Sequence, residues 1–499
     1  MAEHILSESV VLRIAESTPE QEVLKAVASA TSIPVVKVGT TGYPVLEPLV
    51  LLTKNGQTAF YTSCSPEEAA EIATTLDNGN LRIEDADAIV EHPPERPYLP
   101  VPDLWPLQTG ARTVLRRCGW LRPTHPEDYR ISGGFETVDS DTDTVMSAAH
   151  SVTGRGWGDA MTNTPVGTSW NRSIDADGDP AVVVNAHGSP GDRLLLESVP
   201  FLPLEGALAA AQAVDASDII VYLSEADEQA LECVTATVEN LPTTDTMVHV
   251  VTGPDEYRAA EPTMALEAIE GSQRLEARLR PPTPDIEGVY SRPTLIHTPR
   301  TLAQIVHAAS GASPTRIVTV RGDVQHEATI EIPEDGSLAT ARTAVTVDGV
   351  FKGACVGGQF GGLTPDLDIA PTPNALDAAD LGTEGIISIL NEDRCLVAHV
   401  GEQSRFARDE NCGRCVPCRE GTVQLTKLLR EVYDGSFRPD DIEELLRVMQ
   451  SSSMCAFGRD ATRPVATGLD HFEDEFVAHA DGRCPTGTCT TEPQHEVPQ

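Results

Sequence analysis

The chain has 499 residues, enough for about three domains with real apolar cores and no disulfide staples. Its 36 basic and 76 acidic residues leave a formal charge of −40, a field that excludes nucleic acid and anionic membrane surfaces as partners. No stretch approaches 18 apolar residues and Met1 to Ser9 lacks a basic-then-apolar leader pattern, so neither membrane insertion nor secretion is expected and the chain reads as cytoplasmic.

Residues 1–92 read as a small α/β unit. Glu20 to Ala28 is an amphipathic helix pattern, Val35–Val38, Leu49–Leu52 and Ala59–Tyr61 are β-like runs, and Pro66–Leu76 is helical again. Between His92 and Pro106 six prolines fall in fifteen residues. That density permits neither helix nor central strand, so 93–109 is expected to be an extended linker. Residues 110–310 alternate strand and helix. Ala181–Val184 is a buried strand ending at Asn185, Leu202–Val214 an alanine-rich helix, and Asp218–Leu223 and Met247–Thr252 two more strands. This order predicts a largely parallel sheet with helices on its faces. Residues 311–397 form a β-rich module with strands at Arg316–Val320, Ala328–Ile332 and Gly385–Leu390. From 398 to 480 the pattern is helical: apolar residues recur at helical spacing over Val423 to Val432 and again after Pro439. Residues 481–499 read as a polar tail.

Eleven cysteines are present, several in tight spacing. In a cytosolic chain that points to metal or free thiols rather than disulfides. Cys412-Gly-Arg-Cys415-Val-Pro-Cys418 is C-x2-C-x2-C, which lets three thiolates take three corners of one cubane. Cys455, just past the helix opened by Pro439, supplies a fourth. Such a set suits a [4Fe–4S] cluster, whereas zinc sites more often use two separated C-x2-C pairs or mix in histidine. The plainer reading, four buried free thiols, does not account for the spacing.

Glu410-Asn-Cys-Gly-Arg-Cys-Val-Pro-Cys-Arg-Glu-Gly-Thr422 and Met454-Cys-Ala-Phe-Gly-Arg-Asp-Ala-Thr-Arg-Pro-Val465 resemble the NADH-binding flavoprotein subunit of respiratory complex I. The related subunits of NAD-linked hydrogenases and formate dehydrogenases are more similar still. The resemblance runs over most of the chain, with Cys118-Gly-Trp-Leu-Arg-Pro before the flavin segment and Gly385-Ile-Ile-Ser-Ile before the cluster helices. It implies an α/β multidomain protein. The expected parts are a thioredoxin-like domain (1–92), a Pro-rich linker (93–109), an FMN/NADH-type α/β domain (110–310), an SLBB ubiquitin-like module (311–397) and a helical [4Fe–4S]-binding domain (398–480). It also implies Cys412, Cys415, Cys418 and Cys455 as cluster ligands, FMN and NAD(H) as further cofactors, and other iron–sulfur subunits of a redox complex as partners. The acid-rich, lysine-poor composition, with five lysines, resembles the halophilic archaeal type.

Departures from the family bear on the cofactors. The family's flavin loop is Gly-Arg-Gly-Gly-Ala-Gly-Phe-Pro. Here it is Gly154-Arg155-Gly156-Trp157-Gly158-Asp159-Ala160-Met161. Glycines let backbone N–H groups approach a phosphate closely, while Trp157 adds bulk and Asp159 a negative charge. Ser169 replaces the family's lysine ahead of Trp170. Asn185 is kept, but His187 and Gly188 replace two acids. Glu261 keeps one of a glutamate pair whose other member is Pro262, and Thr298 replaces an asparagine. Gly154, Arg155, Gly156, Asn185 and Glu261 remain as candidate FMN and NADH contacts, with FMN binding expected to be weak or nil in the isolated chain. The N-terminal unit has Tyr43 and Leu46 where longer members have cluster cysteines, and no pair around Ile14 and Thr18, so no [2Fe–2S] cluster is expected there. His471, His479, Cys484 and Cys489 form a looser group. Two cysteines and a histidine can hold zinc, but the polar context reads better as a reduced pair in a mobile tail. His187, His297 and His307 are given no functional role.

Two functions follow. One is an iron–sulfur electron-transfer oxidoreductase subunit of the NADH dehydrogenase type. The alternative is a cluster-bearing relay or scaffold that has lost FMN and NADH.

Overall fold

A computed structural model describes residues 5, 10–17, 21–77, 83–242 and 245–489. Most of Met1–Ser9, Thr18 and the last ten residues of the expected tail lie outside the described residues. Among the described residues no single helix is long and apolar enough to cross a membrane.

The first unit is a five-stranded sheet of β1 (Val10–Ala15), β2 (Val35–Val38), β3 (Leu49–Lys54), β4 (Gln57–Tyr61) and β5 (Ala88–Glu91), in the order β2-β1-β3-β4-β5. β1 and β2 run parallel; the other pairs are antiparallel. Side chains alternate between faces along each strand. Leu12, Ile14, Val50 and Leu52 therefore meet helices Glu22–Ala30 and Pro66–Asp77 through Val23, Val27, Ile72 and Leu76. Val11, Leu49, Leu51 and Phe60 face the other way, into a core shared with a second small sheet.

That second sheet is built from β10 (Thr315–Gly322), β11 (Ala328–Pro333), β12 (Phe351–Val356), β13 (Gly362–Thr364) and β14 (Ile386–Asn391), ordered β11-β10-β14-β12-β13. Only the β10–β14 pair is parallel. Val318, Val320, Ile330, Ile332, Ile387 and Ile389 give its half of the shared core. The proline-rich run is neither helix nor strand, as its composition demands, but it is docked rather than loose. Leu99 and Leu107 are buried in the same core. Just beyond, the buried Glu331 carboxylate accepts hydrogen bonds from the backbone N–H groups of Thr113, Val114 and Leu115.

Between these units in sequence comes a four-stranded, all-parallel sheet of β6 (Ala181–Asn185), β7 (Asp218–Ser224), β8 (Met247–Gly253) and β9 (Thr294–His297), ordered β8-β7-β6-β9. Its central strand β6 is buried along its whole length, as a parallel strand covered on both faces must be. Helix Phe201–Val214 packs on helix Pro299–Ala309 through Gly206, where an added Cβ would sit 2.4 Å from the Leu302 carbonyl oxygen. The C-terminal part is a bundle of helices Leu396–Glu410, Val416–Tyr433, Pro439–Ser452, Ala456–Asp460 and Arg463–Ala480. Its interior is Val400, Leu425, Leu429, Ile442, Leu446, Met449, Val465 and Phe476.

Candidate functional site

The chain leaves helix Leu396–Glu410 through Asn411. The Asn411 amide donates to the carbonyls of Ala407 and Arg408, and its oxygen accepts from the N–H of Gly413, whose φ of +76° suits a residue without Cβ. This turn sets Cys412 beside Cys415. Cys415 is the N-cap of helix Val416–Tyr433, and Cys418 lies in that helix's first turn. Cys455 is the N-cap of helix Ala456–Asp460. All four thiols line one small pocket, closed by Ala277, Met454 and Phe457. Arg414 donates to the Ala277 carbonyl at 2.7 Å and so ties the cysteine turn to the parallel-sheet domain.

Burial pushes the Cys455 thiol up to about 12, with the Glu261 carboxylate and Cys412 adding to it. Burial likewise raises Cys418, reinforced by Cys415, Cys455 and Cys412. Buried as they are, Cys418 and Cys455 are stable as thiolates only around a cation centre. Four cysteines on one small pocket, three of them in C-x2-C-x2-C spacing, fit a [4Fe–4S] cluster.

The glycine loop lies beside this pocket, on a cavity of about 400 Å³ lined by Gly156, Trp157, Asp159, Tyr257, Glu261, Arg280, Glu384 and Arg463, among others. Of the five candidate contacts, Gly156 and Glu261 face this cavity. Arg155 is turned away: its guanidinium donates to the carbonyls of Thr153 and Thr315 and to Glu334. Gly154 packs against the loop itself, where a Cβ would lie 2.0 Å from the Met161 carbonyl oxygen. Asn185 props the loop from below, its amide donating to the carbonyls of Gly158 and Ala260. Glu261 caps helix Pro262–Ile269 by accepting from the N–H groups of Thr263 and Met264, and it pairs with Arg280 at 3.0 Å. Pro262 at the first helical position fits that cap.

Asp159 is buried. Its carboxylate accepts from the Met161 N–H at 2.9 Å and faces His297 Nδ1 at 3.4 Å. His297 Nε2 accepts from the Trp170 indole at 2.9 Å, which leaves the ring proton on Nδ1, toward Asp159. His297, left without a role by sequence reasoning, thus backs Asp159 from behind the loop. Ser169 stays within its helix, donating to the Val166 carbonyl. The Asp159 carboxylate is therefore buried behind the loop, and Arg280 and Arg463 are already paired with Glu261 and Asp460. With Arg459 as the cavity's remaining arginine, these residues hold an FMN phosphate weakly.

Trp157 stacks on Tyr257 with ring centroids 5.0 Å apart, and both meet Phe457 edge-on. Phe360 and Phe406 complete the cluster. This aromatic layer separates the loop from the cysteine pocket, and Phe457 touches both. Single aromatics scattered over 300 residues leave no local pattern to find; only Phe457, two residues after Cys455, carried a positional hint.

The expected mobile tail is corrected in part. Cys484 and Cys489 fold back onto the bundle and gather with His479 around Cys395, while His471 stands apart beside Phe472. The burial of Cys395 against His479, unseen in the sequence, holds them there.

Residues 399–479 match the NADH-ubiquinone oxidoreductase-F iron-sulfur binding region, and residues 150–307 match the Nuo51 FMN-binding domain. The chain is 31% identical over 375 residues to the NADH-quinone oxidoreductase F subunit of Mycobacterium tuberculosis, covering 66% of this chain and 83% of that one. It is 28% identical over 403 residues to the NADH-quinone oxidoreductase F 2 subunit of Rhizobium meliloti, covering 72% and 95%. The HndC subunit of the NADP-reducing hydrogenase of Solidesulfovibrio fructosivorans is 26% identical over 423 residues, covering 76% and 86%. The fold is similar to that of a NAD+-reducing [NiFe]-hydrogenase chain in the H2-reduced state, with a TM-score of 0.63, 22% identity and coverage of 94% and 85%. With its cysteine pocket and its parallel-sheet domain each matched, the chain belongs to the family of NADH-quinone oxidoreductase F subunits.

Proposed function

We propose that this chain is an iron–sulfur electron-transfer oxidoreductase subunit of the NADH dehydrogenase type, with one [4Fe–4S] cluster on Cys412, Cys415, Cys418 and Cys455. The convergence of four thiols from two helix N-termini and one turn, in a pocket touching the parallel-sheet domain, carries the proposal. Such a cluster supplies one-electron chemistry. The chain's own residues shape its surroundings: Asn411 sets the ligand turn, Met454 and Phe457 cover the thiols, and Arg414 fixes them against Ala277.

The names of the relatives point to NADH as the electron source. The relay reading is not favoured, because the match to the FMN-binding domain runs from 150 to 307, straight across the altered loop. The finer architecture belongs to the same proposal. The strand order β2-β1-β3-β4, with a parallel first pair, supports a thioredoxin-like first unit without cluster ligands. The order β11-β10-β14-β12-β13 supports an SLBB ubiquitin-like module. The partners are then other iron–sulfur subunits of a cytoplasmic redox complex, and the acid-rich composition supports a halophilic setting.

The test is anaerobic purification in molar KCl, followed by iron analysis and an NADH–ferricyanide assay. About four irons per chain, the content of one cubane, with NADH-dependent ferricyanide reduction in excess FMN is the expected result. Iron-free protein, or iron-loaded protein inert to NADH with added FMN, overturns it.

A further inference from the structure

Outside the cysteine pocket, one group of ligating side chains is drawn together more tightly than any other among the described residues. The ligand atoms of Cys395, His479, Cys484 and Cys489 all lie within 4.8 Å of one another. Cys395 Sγ is 3.3 Å from His479 Nε2 and 3.4 Å from Cys489 Sγ, and Cys489 Sγ is 3.6 Å from His479 Nε2. Zinc bonds of about 2.3 Å to sulfur and 2.0–2.1 Å to nitrogen, set tetrahedrally, separate ligands by roughly 3.5–3.8 Å. The observed spacings match that shell.

The surroundings prepare each ligand. His479 Nδ1 bonds to the Glu475 carbonyl one turn back at 2.6 Å. A carbonyl only accepts, so the ring proton sits on Nδ1 and Nε2 keeps its lone pair for a metal. Cys395 is the N-cap of helix Leu396–Glu410, its sulfur accepting from the Ala398 N–H. Cys484-Pro-Thr-Gly-Thr-Cys489 is C-x4-C, within the spacing of zinc loops. Gly487, at φ +68°, takes the left-handed conformation that brings its two ends together. The Thr486 hydroxyl lies 3.2 Å from Cys484 Sγ, and the Tyr433 hydroxyl 3.8 Å from Cys489 Sγ, so both sulfurs have a neighbour able to donate to a thiolate. Cys395 and His479 are both buried.

We propose that Cys395, His479, Cys484 and Cys489 bind one divalent zinc ion in a closed structural site, distinct from the iron–sulfur centre. Binding releases the three thiol protons and leaves His479 neutral, so the completed site carries one net negative charge. Four protein ligands leave no open position for substrate, which makes the ion a staple. It joins the start of helix Leu396–Glu410, the end of helix Arg463–Ala480 and the turn at 484–489.

The test is metal analysis of the full chain purified anaerobically in molar KCl. The expected result is about one zinc beside the four irons. Cys489→Ser and His479→Gln should each lower zinc at least tenfold while leaving the iron and the visible spectrum unchanged, a combination that also shows the variants are folded. Cobalt(II) added to zinc-stripped protein should give the intense d–d bands of tetrahedral thiolate coordination. Three results overturn the proposal: zinc below a tenth of an equivalent with no cobalt spectrum, zinc retained in both variants, or a mass two units low that marks a disulfide among these cysteines. Iron near six with a second cluster signal lost in Cys489→Ser overturns it as well.

Discussion

Cys415 is at once a helix N-cap and one of four thiols facing a single pocket. Replacing it with alanine takes a ligand from a saturated set, so Cys415→Ala should lose the cluster or keep a degraded one. The check is anaerobic absorbance near roughly 400 nm, where thiolate–iron charge transfer falls; an unchanged spectrum rejects Cys415 as a ligand. The flavin loop leads to the opposite expectation, a cofactor held poorly. Arg155 is committed to Thr153, Thr315 and Glu334, and Arg280 and Arg463 are committed to Glu261 and Asp460. Each missing charge-assisted hydrogen bond costs about 1.5–3 kcal/mol, roughly ten- to a hundredfold in affinity. Purified chain equilibrated with FMN in molar KCl and freed of unbound ligand should therefore release little flavin on denaturation. A full equivalent, measured by fluorescence, shows that the cavity's other arginines suffice.

Two glycines inside helices, one at a helix contact and one in open space, make a matched pair of tests. At Gly206 an added Cβ would lie 2.4 Å from the Leu302 carbonyl oxygen, so Gly206→Val must separate helices Phe201–Val214 and Pro299–Ala309. The expected loss is about 1–3 kcal/mol, read as a lower melting temperature. Gly401, inside helix Leu396–Glu410, has nothing within 4 Å of the same position. Gly401→Ala should stabilise by about 0.5–1 kcal/mol through helix propensity alone. A Gly206→Val variant as stable as the parent refutes the close approach. The same elements show what a sequence can disclose. β6 and β7 were legible because their apolar runs are unbroken, and helix Pro439–Ser452 because Ile442, Leu446 and Met449 repeat on one face. β1 was not, because Arg13 interrupts it. That guanidinium is buried 3.7 Å over the Trp120 ring and bonds to the Trp120 carbonyl and to Thr53, partners far along the chain. The cysteine pocket was legible for the converse reason: three of its four ligands sit in one heptapeptide. The aromatic layer and the Cys395–His479 pairing are assembled from distant segments, which periodicity cannot see.

Across the whole molecule the dominant fact is charge. A formal −40 with only five lysines puts most acidic groups on the surface without a cation nearby. At 0.01 M salt their repulsion reaches about 30 Å; at 1 M it is screened within about 3 Å. The interior is little affected. Arg300 and Asp192 are each only 2% exposed, and buried pairs of this kind are screened far less. Neither is the apolar core shared by the two small sheets a source of steep salt dependence, since KCl alters burial only weakly beside the kosmotropic salts. Stability should therefore rise steeply between dilute buffer and molar KCl. At about 2.1 cal/mol/K of unfolding entropy per residue, a gain of about 3 kcal/mol moves the melting temperature of a chain of 499 residues by roughly 3 °C. Sucrose at equal osmolality is the control. It strengthens burial by exclusion from the surface but screens nothing, so it should recover only a small part of the gain. A melting temperature indifferent to KCl, or one raised equally by sucrose, means that surface repulsion is not what limits the fold.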